Sequence, residues 1–182
     1  MVPDYIPKSE VSSIPDLKKP EVRSKLNGTI TGIDPGAGLT RLSKQALKEY
    51  GLDNYQLQIS SGAGMTAALD RAEKHKDWIV VTGWSPHWMF GAWNLRYIAD
   101  PKGVLGSYER IHALARKGFY QDNIAAATMI ARMWIPLDQL QAAMYDARET
   151  SYEAAVKKYM DNHKERINYW VTGKMGDESG GM

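Results

Sequence analysis

The feature that most constrains the fold is the junction between residues 29 and 50. Thr29-Ile30-Thr31-Gly32-Ile33 is a run rich in β-branched residues, entered from Asn27-Gly28 and stopped by Asp34-Pro35-Gly36, the pattern of a short strand between turns. Leu39, Leu42, Ala46, Leu47 and Tyr50 follow at spacings of three and four, which predicts a helix, and Gly51 stands where a left-handed cap ends one. The unit then repeats: Tyr55 to Ile59 alternates as a strand, and Met65, Ala68, Leu69 and Ala72 form a helical stripe. Trp78-Ile79-Val80-Val81-Thr82 is apolar on both faces, as expected of a central parallel strand covered by helices on each side. This βαβα alternation predicts an α/β fold with a mostly parallel sheet flanked by helices.

Four stretches are expected along the chain. Residues 1–27 are rich in proline and charge and read as a connector, with Val2-Pro3-Asp4-Tyr5 extended and Ser13-Ile14-Pro15-Asp16-Leu17 a capped turn. Residues 28–110 are the α/β lobe. Residues 111–172 open with a crossover strand, Ile111 to Ala115, and continue as helices. Asp122 is placed to cap the first, which contains Ile124, Met129 and Trp134; Pro136 opens the second, whose Leu137, Leu140, Met144 and Ala147 share a face. Thr150-Ser151-Tyr152-Glu153 reads as a capping box before a third helix striped by Tyr152, Ala155, Val156 and Tyr159, with Ile167 and Trp170 extending it or starting a fourth. Residues 173–182 are glycine-rich and acidic and are expected to be a disordered tail.

Composition removes several classes of function. A net charge of +2 from 23 basic and 21 acidic residues, with no basic run, gives nucleic acid nothing to bind. No apolar stretch approaches the length of about 20 residues that spans a bilayer, and no export signal is visible after Met1. Without cysteine there is no disulfide, thiolate nucleophile or thiolate metal site. His75, His112 and His163 have no ligand spacing, so neither metal nor cofactor is expected. Tryptophan and tyrosine, 6 and 10 against 2 phenylalanines, favour rings with a polar edge, which suit a site as well as a core.

Two loops carry what chemistry the sequence offers. In Gly32-Ile33-Asp34-Pro35-Gly36-Ala37-Gly38-Leu39 a dinucleotide fingerprint needs glycine at position 41, which is arginine, and no Gly-Lys-Ser/Thr follows for a phosphate loop. What remains is either a tight strand-to-helix turn or a cradle of helix N-terminal amides for one anionic group. Gly83-Trp84-Ser85-Pro86-His87-Trp88-Met89-Phe90 follows the central strand and should open at the same carboxyl edge of the sheet. There the Trp84 indole can offer its face to a cation, whereas Trp88 also suits the core. His87 is a candidate base or ligand, but no nucleophile-elbow sequence accompanies it.

These two loops, with Ile111-His112-Ala113-Leu114-Ala115-Arg116-Lys117-Gly118-Phe119, resemble the glycine betaine/proline betaine substrate-binding proteins of ABC importers over residues 1–172. The resemblance implies a periplasmic-binding-protein-like lobe that is not an enzyme. It implies a zwitterion whose carboxylate is held by the amides of Gly38 and Leu39 and whose trimethylammonium meets tryptophans, one of them Trp84. His87 and Trp88 are secondary candidates. It further implies an ABC permease as partner and an extracytoplasmic location. The family has two lobes, and Val2-Pro3-Asp4-Tyr5 resembles the end of the other one, so the chain is expected to be one lobe that self-associates or pairs with a complement. The alternatives are a small α/β enzyme using His87 and an inactive truncated lobe.

Overall fold

The computed structural model describes residues 1–175, so most of the expected 173–182 tail lies outside the described residues. The chain divides into two compact units, one spanning Met1–Tyr108 and one beginning at Glu109.

In the first unit, β2 (Thr29–Thr31) pairs in parallel with β3 (Gln56–Gln58), with Thr29 opposite Gln56 and Thr31 opposite Gln58. Between them runs α2 (Gly38–Glu49), which ends at Gly51 with φ +58°, the left-handed geometry a glycine adopts without a Cβ clash. The helix α3 (Gly62–His75) is capped by Ser61, whose hydroxyl accepts from the Gly64 N–H at 3.0 Å, and it buries Met65, Leu69 and Ala72. The expected central strand is shorter than its apolar pattern predicts. Pairing is confined to Val80–Thr82: Thr31 donates to the Val80 carbonyl (2.8 Å) and Thr82 to the Thr31 carbonyl (2.9 Å), in the parallel sense. On the other flank Val81 and Met1 exchange main-chain hydrogen bonds of 3.0 and 2.8 Å. Trp78 and Ile79 are only half-buried, and the Lys25 ammonium lies 4.2 Å from the Trp78 ring.

Residues 1–27 are more than a connector. Val2, Ile6, Val11, Ile14, Leu17, Val22 and Leu26 are buried in one cluster with Ile30, Tyr50, Leu52, Tyr55 and Val80. Turns rather than a regular period bring these side chains inward, which hides them from a search for periodicity. Val2–Pro3 forms β1, antiparallel to β4 (Leu95–Arg96). Asp16 closes the 3₁₀ turn Ile14–Lys18 by accepting from the N–H and hydroxyl of Ser13 (both 2.8 Å), and α1 spans Pro20–Lys25. Another buried cluster, Met1, Ile33, Met65, Leu69, Val81 and Met89, lies under the glycine loop and α4 (Met89–Ala92).

The second unit is helical, and its expected strand is absent. Residues 111–115 form no ladder, with Ile111 81% and Leu114 95% exposed, because no described strand lies beside them to supply hydrogen-bond partners. Asp122 does not cap the following helix. It ends α5 (Phe119–Asp122) and pairs with Arg116 at 2.5 Å, while Asn123 precedes α6 (Ile124–Arg132), which stops before Trp134. Then come α7 (Leu137–Glu149), α8 (Tyr152–Asn162) and a separate α9 (Lys164–Thr172). Ser151 caps α8 by accepting from the Ala154 N–H at 3.1 Å, but the residue at that third position is alanine, so no carboxylate completes a box. Trp170 is buried and stacks on Tyr159 at 6.5 Å, and Tyr159 stacks on His163 at 4.2 Å.

Candidate functional site

Because Thr82 pairs with Thr31, the chain leaves both rows at the same carboxyl edge, and the two loops begin side by side. They also rest on one floor. Ala37 and Leu39 from the glycine loop, and Trp88, Phe90 and Trp93 from the other, pack on the cluster around Met65, Val81 and Met89.

The glycine loop is held by a residue the sequence pattern did not single out. Thr40, 1% exposed, donates its hydroxyl to the Asp34 carbonyl at 2.7 Å and closes the loop over the first turn of α2. Its only sequence signal is a small hydroxyl residue in a first helical turn. The helix start itself is bare: the N-cap is Ala37, no side chain caps it, and no acidic residue stands in the first turn. The N-terminal N–H groups of α2 and their positive dipole end are therefore uncompensated. A Cβ placed on Gly36 or Gly38 meets nothing within 4 Å, so the approach to these amides is open.

Trp84 is 42% exposed and meets the His87 ring edge-on, with centroids 4.9 Å apart. The series continues from His87 to Trp88 (5.4 Å) and from Trp88 to Trp93 (5.5 Å), an aromatic row descending into the packed floor. The His87 Nδ1 accepts the Met89 N–H at 3.2 Å, which ties the imidazole to its own loop. Under the loop, a Cβ on Gly83 would lie 2.2 Å from the Met1 Cε and 2.7 Å from the Met89 Cε, and the missing side chain lets both methionines close in. Of the expected residues, Gly38, Leu39, Trp84, His87 and Trp88 all stand on the two loops at this edge, with Leu39 and Trp88 partly in the floor. Among the described residues, no group of three or more histidine or acidic side chains is placed to hold a metal ion.

Fold and edge together define a periplasmic-binding-protein-like α/β lobe. A family model described as the substrate-binding domain of the ABC-type glycine betaine transport system matches residues 1–162, and the chain belongs to that family, whose members bind substrates and are not enzymes. The chain is 40% identical over 161 residues to the glycine betaine/carnitine transport binding protein GbuC of Listeria monocytogenes, covering 87% of this chain and 53% of that protein. The structure resembles lactococcal OpuAC in its closed-liganded conformation complexed with glycine betaine (TM-score 0.73, 38% identity, 94% of this chain and 65% of that one). It also resembles the glycine/betaine/L-proline-binding protein ProX of Borrelia burgdorferi (TM-score 0.69, 33% identity, 93% and 63%). The chain thus spans about half the length of the curated relative and less than two thirds of these solved ones.

Proposed function

We propose that this edge binds glycine betaine or a related quaternary ammonium osmolyte for delivery to an ABC permease outside the cytoplasm. The observation that carries the reading is the parallel bridge from Thr31 to Val81, which sets an uncapped helix start and a half-exposed indole on adjacent loops over one floor. In this reading the N–H groups of Gly38 and Leu39 donate to the ligand carboxylate, and the helix dipole adds to the attraction. The trimethylammonium rests against the Trp84 face, an interaction of about 0.5 to 2 kcal/mol depending on how far water is excluded. His87 acts as the buttress of Trp84, its ring meeting the indole edge-on at 4.9 Å while its Nδ1 accepts from Met89.

One ring at an open edge lies at the weak end of that range. We therefore place full-strength binding with a second lobe closing over this edge. Calorimetric titration with glycine betaine tests the reading, with glycine and choline as ligands that each retain one end of the zwitterion. Heat with betaine, and less with either control, supports it. Equal heats, or none at millimolar concentration with no change in tryptophan emission, overturn it.

A further inference from the structure

Trp84 lies between two fixed points, the last paired row of the sheet at Thr82 and the turn where His87 accepts from Met89. Between them the chain holds by a side chain, since the Ser85 hydroxyl is 2.8 Å from that of Tyr97.

Tyr97 is better anchored than the loop it meets. It follows β4 directly, whose Leu95 and Arg96 pair with Pro3 and Val2. The Arg96 guanidinium donates to the Ile6 carbonyl at 2.8 Å and lies 3.5 Å from the Asp4 carboxylate, locking the strand to the amino-terminal core. The Tyr97 ring meets Phe90, itself packed on the floor, at 5.7 Å, while 52% of the residue remains exposed. A hydroxyl on this braced ring, next to a loop led by glycine, transmits the position of the frame to the loop and not the reverse.

We propose that Tyr97 is a positioning residue for the ligand edge: through Ser85 it fixes the loop that carries Trp84, and so sets where the indole face meets the cation. The inference rests on the reading of Trp84 as the cation wall. Tyr97 needs no contact with the ligand for this, which separates its role from those of Trp84, Gly38 and Leu39.

Tyr97→Phe keeps the ring and its contact with Phe90 and deletes only the hydroxyl. In ligand-free protein, ¹⁵N relaxation of the Trp84 indole N–H, assigned by comparison with Trp84→Phe, is expected to show greater mobility in Tyr97→Phe, with the thermal midpoint nearly unchanged. Betaine affinity is expected to fall by no more than Trp84→Ala lowers it, about twofold for one ring at an open edge. Ser85→Ala should match it, Ser85→Thr should restore wild-type behaviour, and the double variant Ser85→Ala/Tyr97→Phe should be no worse than either single change. An indole equally ordered in Tyr97→Phe and wild type overturns the proposal whatever the titration gives. A wild type that gives no heat with betaine overturns the binding reading alone, and the positioning role is then decided by the indole measurement.

Discussion

Gly38 and Leu39 offer main-chain N–H groups while Trp84 offers a side chain, so substitutions at the two loops should separate access from contact. At Gly38 an added Cβ meets no neighbour, so Gly38→Val should leave the circular dichroism spectrum and melting temperature close to wild type. Its branched side chain covers the amides, and betaine affinity should fall at least tenfold, the equivalent of about 1.4 kcal/mol. Retained affinity in a folded variant would return the loop to a plain turn. Trp84→Ala should lower betaine affinity about twofold, the weak end of the range for one open ring, with little cost in stability, since the residue is 42% exposed. Trp170→Ala should do the opposite: Trp170 is 5% exposed and stacked on Tyr159, so truncation should destabilise the helical unit by about 3 to 5 kcal/mol and leave ligand affinity alone. Melting curves and titrations of both variants check this. Gly38 and Trp84 were legible because glycine at a helix start and tryptophan at a strand end are unusual choices. Thr40 and Tyr97 were not, because a buried threonine hydroxyl and a tyrosine distant in sequence acquire their partners only through folding.

Among elements, those whose bonds close locally were readable and those completed by distant partners were not. The interior bonds of α2 and α3 close within a few residues, and Thr150-Ser151-Tyr152-Glu153 marks the start of α8, although Ser151 alone caps it and no box forms. Ser151→Ala should accordingly destabilise by about 1 kcal/mol, read as a shift in the denaturant midpoint. The pairing of β1 with β4 spans more than ninety residues through two-residue strands, too short to carry a pattern. Residues 111–115 show the reverse error: a strand-like sequence remains unpaired because the described chain supplies no neighbouring edge. The turn at Ile14–Lys18 makes a prediction about pH. The Lys19 ammonium 2.8 Å from Asp16 is the strongest influence on its carboxyl, and although burial opposes it, the donors of Ser12 and Ser13 add to it. The carboxyl is held well below the ordinary carboxylate range. A depressed folded value means that its stabilisation is complete above the unfolded pKa of about 3.9 and is lost as the pH falls further. Asp16→Asn should therefore be less stable at neutral pH and show a flatter acid limb, as denaturation midpoints from pH 7 down to 2 would record.

On the scale of the whole molecule, the boundary at Tyr108 leads into residues 109–117, all exposed and without secondary structure. Brief trypsin digestion should cut first at Arg110, Arg116 or Lys117 and yield two fragments divided there; a first cut inside α2 or α7 would contradict this division. The helical unit leaves Trp134 68% and Tyr152 80% exposed, whereas Met129 and Met144 are half-buried. Large exposed rings of this kind should make the chain associate as its concentration rises, which light scattering coupled to size exclusion would register as a growing mass. The pairing of Met1 with Val81 has a practical consequence. The two residues exchange their hydrogen bonds in the antiparallel sense, so a polypeptide continuing ahead of Met1 runs towards Thr82 and Gly83. Any tag, linker or preceding sequence joined at that end is steered to the rim that carries Trp84. A sensor chip holding the protein by its amino end should therefore mask the very loops it is meant to report.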